Sequence, residues 1–270
     1  MHTAKASDRG ERFRRRVVRE RRGLTTMGVG LFRRGVEKQL SRFADKVMQQ
    51  AASVPGALEA AKVTNVPSAT IERRMERFYM EAGNRLFDVG AEAIKAYGVS
   101  IPRRKELTDD AVRRMQEYLE RVGAQKVTQI SETTRQVIIK ILQTVVEEGG
   151  AIDGAAQRLA EEIPEVSRRR GQVISRTEII PASNKAVDLG ARQAGIPLDK
   201  EWISAQDNRT RRIPRDDFDH VDADGQVVDI DEPFVVTGEE LMFPGDTSRG
   251  ASAGNVIQCR CAHAPIPKDR

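Results

Sequence analysis

The chain has 270 residues, 31% of them charged and only 4% aromatic, with a formal net charge of +5. That is the balance of a helix-rich, solvated protein, long enough to bury a core without disulfides or metals as obligatory staples. No run approaches the roughly 20 apolar residues of a membrane span, and the longest candidate, residues 137–146, is broken by Lys140 and Gln143.

The charge is concentrated at the start. Residues 1–34 carry eleven Lys/Arg against three Asp/Glu, whereas the rest carries 34 against 37, a slight acidic excess. The segment lacks the apolar h-region of a secretory signal, and two cysteines one residue apart are no disulfide framework, so an intracellular origin is expected. Residues 1–34 are therefore read as a basic disordered arm. Its Arg12, Arg14, Arg15, Arg16, Arg19, Arg21 and Arg22 are candidates for double-stranded DNA contact, because each cation that neutralises a phosphate releases condensed counterions. The competing reading is an arm docked on an acidic protein surface.

Residues 35–124 read as a helical region. A first helix over 31–52 places Leu31, Val36, Leu40, Phe43 and Val47 near a 3.6-residue period and stops at the Ser-Val-Pro-Gly of 53–56. A second, over 68–97, carries the stripe Ile71, Met75, Phe78, Tyr79, Leu86, Val89, Ile94 and Tyr97. Thr108 is placed to cap a third, which opens with Asp109 and Asp110 and presents Val112, Met115, Leu119 and Val122. A long helix follows through Val146, then shorter ones over 151–162, 165–180 and 183–194, with Pro164, Pro181 and Gly195 as punctuation.

At Lys200 the pattern changes. Turn sequences at 222–225, 237–240 and 243–246 separate short β-prone pieces at 201–204, 226–230, 233–236 and 256–261. The fold class expected is α+β: a mainly helical N-terminal body followed by a small irregular C-terminal domain with short strands. Residues 125–270 would form that domain, helical to about 195.

Within it, Arg176-Thr177-Glu178, Asn184, Trp202, Asp207, Arg209, Arg211, His220, Asp224-Gly225, Phe234, Pro244-Gly245-Asp246 and Cys259-Arg260-Cys261 follow one another in a definite order. Each piece alone has a plain structural explanation. In this order and spacing they resemble the phage Mu F-like minor head, or head-morphogenesis, proteins over roughly residues 125–265. Two departures stand out. Gln258 replaces the family's usual asparagine, and residues 212–219 look like a small insertion that would carry His220 away from the Arg211 loop.

The resemblance implies a minor capsid protein of a tailed phage or prophage. Its partners would be portal and procapsid proteins, with duplex DNA in packaging or ejection and no membrane. It would reside inside the phage head and, during assembly, in the host cytoplasm; an oligomer is compatible with all of this.

For the cysteines three readings stand. A disulfide between residues i and i+2 is strained. A zinc site would combine His220, Cys259 and Cys261 with His263 or an aspartate. In the favoured reading no cofactor is expected: a strand turns both thiols inward and Arg260 outward to pair with Asp207 or Asp246. The chain is read as a non-enzyme. The alternative is a phosphodiester- or nucleotide-acting enzyme, nuclease or toxin-like, built on the C-terminal His/Asp/Arg constellation with His220 as general base.

Overall fold

The computed structural model describes residues 8–102 and 107–268. Five long or medium helices come first: α1 (Asp8–Gln49), α2 (Val54–Val63), α3 (Ala69–Lys95), α4 (Asp109–Glu147) and α5 (Ile152–Ala191). Five short strands and one helical turn follow: β1 (Leu198–Ile203), β2 (Val227–Asp229), β3 (Phe234–Val236), β4 (Glu239–Leu241), α6 (Ala253–Val256) and β5 (Ala262–Pro267). This is the α+β arrangement expected, helical body first and a small strand-bearing region after it.

Four local expectations are corrected. Residues 8–34 are not disordered: they form the first part of α1, because Val17, Leu24, Leu31 and Phe32 supply buried positions at helical spacing. Residues 1–7 lie outside the described part. The two helices read between 109 and 146 are one, α4, and Thr108 does cap it, its Oγ1 accepting the Ala111 N–H at 3.2 Å. The three helices read between 151 and 194 are also one. Proline in a helix interior costs about 3 kcal/mol, yet α5 runs through Pro164 and Pro181, where Ile163, Ile179, Ile180, Ala182, Ala186 and Val187 are buried. Finally, residues 256–261 are not a strand. They are the end of α6 and a turn with Gln258 at φ +54, and the strand begins only at Ala262.

The chain divides into two compact units made of interleaved segments, so α1, α3, α4 and α5 each contribute to both. The second unit, Met27–Glu76 with Val122–Ser175, is all helical. Phe32, Leu40, Phe43, Ile71, Ile138 and Leu142 are buried in it, and Gln39 is the polar tie. The Gln39 amide donates to the Pro67 carbonyl at 2.9 Å and to Ser131 at 3.0 Å, and its oxygen accepts from Thr134 at 2.8 Å. Arg135 closes the C-terminus of α2 by donating to the carbonyls of Ala61, Lys62 and Thr64, groups that a helix end leaves without partners.

The first unit comprises the described parts of Met1–Thr26, Arg77–Arg121 and Arg176–Arg270. In its three-stranded antiparallel sheet β1 is central, flanked by β2 and β5, and Trp202 faces His263 across the β1–β5 ladder. β3 and β4 form a separate hairpin turned by Thr237 and Gly238, both at positive φ as a two-residue hairpin loop of this kind requires. Helices α3 and α5 approach closely at Gly90 and Gly190. A Cβ on Gly90 would fall on the Val187 carbonyl, and one on Gly190 on the Phe87 carbonyl.

Candidate functional site

The residues singled out between 176 and 261 converge in the first unit. Trp202, fully buried on β1, sets its ring edge-on to His220 at 5.7 Å between centroids and to Phe234 at 5.3 Å. The Asp224 carboxylate accepts the Ser204 N–H at 2.7 Å, and the Gly225 N–H returns to the Trp202 carbonyl at 2.9 Å, so the Asp-Gly turn closes over the end of β1. Residues 212–219 do not carry His220 away from the Arg211 loop: the N–H groups of His220 and Val221 both donate to the Arg211 carbonyl, at 3.0 and 3.3 Å. They loop out and return to their starting point.

Most of the motif's polar groups are engaged. Glu178 accepts from Tyr79 at 2.7 Å and Asp246 from Tyr118 at 3.2 Å, with the two buried rings 6.2 Å apart. Burial first, and the carboxylates second, hold both phenols well above their ordinary pKa, so they stay neutral donors. Asp246 also takes the Met242 and Ser248 N–H groups and the Ser248 hydroxyl. Asn184 donates to the Pro244 carbonyl at 2.8 Å, and Gly245, at φ +85, packs against Ile180 and Pro181. Arg260 forms an ion pair with Asp207, the first of its two expected partners. Arg211 donates to the Ile257 carbonyl at 2.5 Å, while Arg176 and Arg209 lie exposed.

The thiols are free and buried, and both face one imidazole nitrogen. His220 Nδ1 lies 3.6 Å from Cys259 Sγ and 3.5 Å from Cys261 Sγ. The orientation of that ring is imposed from behind. Glu239 is a carboxylate and can only accept, so the Asn255 Nδ2 that meets it at 3.0 Å is the donor, and Asn255 Oδ1 must face His220 Nε2 at 2.7 Å. Nε2 therefore carries the proton and Nδ1 presents its lone pair to the sulfurs. The Cys259 thiol is held well below its usual pKa, chiefly by its hydrogen bond with Cys261, which outweighs the cost of burial; burial pushes Cys261 well above. His263, the other histidine considered for this cluster, is not in it. It stacks on Phe243 at 6.2 Å, and burial drives its pKa down to about 3.

Residues 136–264 match the family described as Phage Mu protein F like protein. Over these residues the chain is similar to the Mu F-like family. At the level of the family, that points to phage head morphogenesis and association with the virion. Two curated proteins are similar to part of the chain. YqbB of Bacillus subtilis is 28% identical over 135 residues, 49% of this chain and 42% of that protein. The NAD(+)--arginine ADP-ribosyltransferase EFV of Enterococcus faecalis is 30% identical over 107 residues, 38% of this chain and 20% of that protein. The chain thus spans less than half the length of either relative. No solved structure matches.

In the matched region, Gln258 takes the left-handed backbone that asparagine adopts more readily than glutamine. Nearer the start of the chain, the basic arginines separate into three groups. Arg12, Arg15, Arg19 and Arg22 are exposed, Arg14 and Arg16 are partly buried and paired with Glu11 and Glu92, and Arg21 is buried. Arg21 donates to Ser183 at 2.6 Å, Asn184 at 2.8 Å and the Cys261 carbonyl at 3.1 Å, which removes it from the candidate DNA contacts. Burial lowers its pKa to about 10, opposed by the neighbouring thiols.

Three features escaped the reading of the sequence. Asn255 and Glu239 belong to no motif, and nothing in the sequence links them to His220. Arg21 was legible: it sits in the inward stripe Val17, Leu24, Gly28, Leu31. A cavity of about 420 Å³ is lined by Arg121, Lys185, Arg192, Lys200 and Arg249 around Asp188. There burial lowers the Lys200 pKa to about 8, and its ammonium donates to the Ile230 and Met242 carbonyls. Among the described residues no helix is long and apolar enough to cross a membrane.

Proposed function

We propose that this chain is a minor head protein that acts with portal and procapsid proteins in assembly of a tailed-phage head and in packaging or ejection of its DNA. The observation that carries the reading is the Mu F-like match over residues 136–264. We assign the domain no catalytic role. Its carboxylates are occupied by Tyr79, Tyr118 and Arg260, and its imidazole is pinned between Asn255 and two thiols.

Duplex DNA binds, in this reading, along α1. Arg12, Arg15, Arg19 and Arg22 fall at intervals of three, four and three residues, so they form one exposed row over about 15 Å of helix. A row of that kind follows a phosphate backbone and reads no sequence. The test is the salt dependence of duplex binding by the full chain. Exchanging the four arginines for alanine should lower the slope of log K against log salt by about 3–4, at about 0.9 per phosphate contact. An unchanged slope would assign the row to a protein partner instead. The same preparation is expected to turn over neither NAD+ nor DNA; activity abolished in His220→Ala would favour the enzymatic alternative.

A further inference from the structure

We infer that His220, Cys259 and Cys261 bind a thiophilic divalent cation, with zinc the best fit. The first argument is geometric. In a tetrahedral zinc site, Zn–S of about 2.3 Å and Zn–N of about 2.0–2.1 Å place sulfur and nitrogen about 3.6 Å apart. The two observed Sγ–Nδ1 separations are 3.6 and 3.5 Å, and all three donor atoms lie within 4.8 Å of one another. The second argument is valence. Nδ1 has one lone pair in the ring plane, and a single thiol hydrogen bond consumes it. Two thiols at equal distance from it are one more than that bond explains, whereas a metal ion uses all three donors at once.

The surroundings supply what such a ligand set needs. The Glu239–Asn255–His220 series fixes the tautomer that exposes Nδ1, in the manner of the outer-shell groups that orient metal-bound histidines. The backbone N–H of Ala205 is directed at Cys261 Sγ, and that of Cys261 at Cys259 Sγ, bonds that support thiolates. The buried Arg21 guanidinium, anchored on the Cys261 carbonyl, adds a positive charge beside them. The left-handed turn at Gln258 leads into the Cys-X-Cys segment, so the pair is delivered between α6 and β5 while His220 arrives from the far end of the 212–219 loop. The ion would clip these segments together. Binding converts two thiols and a divalent cation into a neutral dithiolate complex, with the two protons released to solvent. Three protein ligands leave one tetrahedral position for water.

The test uses the full chain expressed in zinc-supplemented medium. Elemental analysis after gel filtration should find close to one zinc per chain, released when a mercurial blocks the thiols. Replacing zinc by cobalt should give the intense visible bands of a tetrahedral site together with thiolate-to-cobalt charge transfer in the near ultraviolet. The double variant Cys259→Ser/Cys261→Ser should lose both signals. Asn255→Ala, which keeps all three ligands, should weaken metal affinity about 10–100-fold while leaving the helical circular dichroism unchanged. Natively helical wild-type chain that takes up neither metal would overturn the assignment. So would a zinc content unaffected by the double cysteine variant, which would place the ion elsewhere.

Discussion

Arg21 and Arg22 are neighbours in the sequence with opposite fates, set by where each falls on α1. Arg22 faces solvent; Arg21 is only 5% exposed and spends its guanidinium on Ser183, Asn184 and a carbonyl. Hydrogen bonds from a charged group contribute about 1.5–3 kcal/mol each, and their loss leaves buried acceptors unmet. Arg21→Ala is therefore expected to lower unfolding free energy by about 2–4 kcal/mol, and Arg22→Ala to change it by less than about 0.5 kcal/mol. Urea denaturation of the two variants measures the contrast; equal effects would mean that Arg21 is not the internal tie described. The residue scale is also where the sequence was least informative. Composition marked the whole basic stretch as one class, and only the helical period, set by Val17, Leu24 and Leu31, distinguishes its inner arginine from its outer ones. The partnership of Glu239, Asn255 and His220 spans loops and has no period at all.

Among the elements, the apolar stripes of α3 and α4 and the Thr108 cap were legible because they are local. The breaks inside α5 were misread for the opposite reason. Proline's penalty is local, while the burial of Ile179, Ile180, Ala186 and Val187 that outweighs it depends on the tertiary fold. The strand expected at the cysteines was misplaced by six residues because turn geometry at Gln258 is not encoded in β propensity. The crossing of α3 and α5 depends on reciprocal glycines. Ala at Gly90 or Gly190 would drive a methyl into the carbonyl of Val187 or Phe87, so each substitution should cost at least about 1–3 kcal/mol. Thermal melts of Gly90→Ala and Gly190→Ala are expected to show a clear drop. Wild-type melting in both would show that the helices do not cross as closely as drawn.

At the scale of the whole molecule, the α+β class and the order of helices before strands followed from composition and turn spacing, and the kinship followed from motif order. The division into units did not. Each unit is assembled from interleaved stretches of the same long helices, an arrangement that consecutive reading of the chain does not anticipate. Within the first unit, one surface of α1 carries the arginine row while its inner face reaches the Mu F-like motif through Arg21. The most direct measurement of the proposed function is quantitative mass spectrometry of tailed-phage procapsids purified from cells that express this chain from its native locus. The account predicts a fixed, substoichiometric number of copies per head that disappears when residues 136–264 are deleted. Procapsids that assemble and fill normally without ever containing the chain would contradict it.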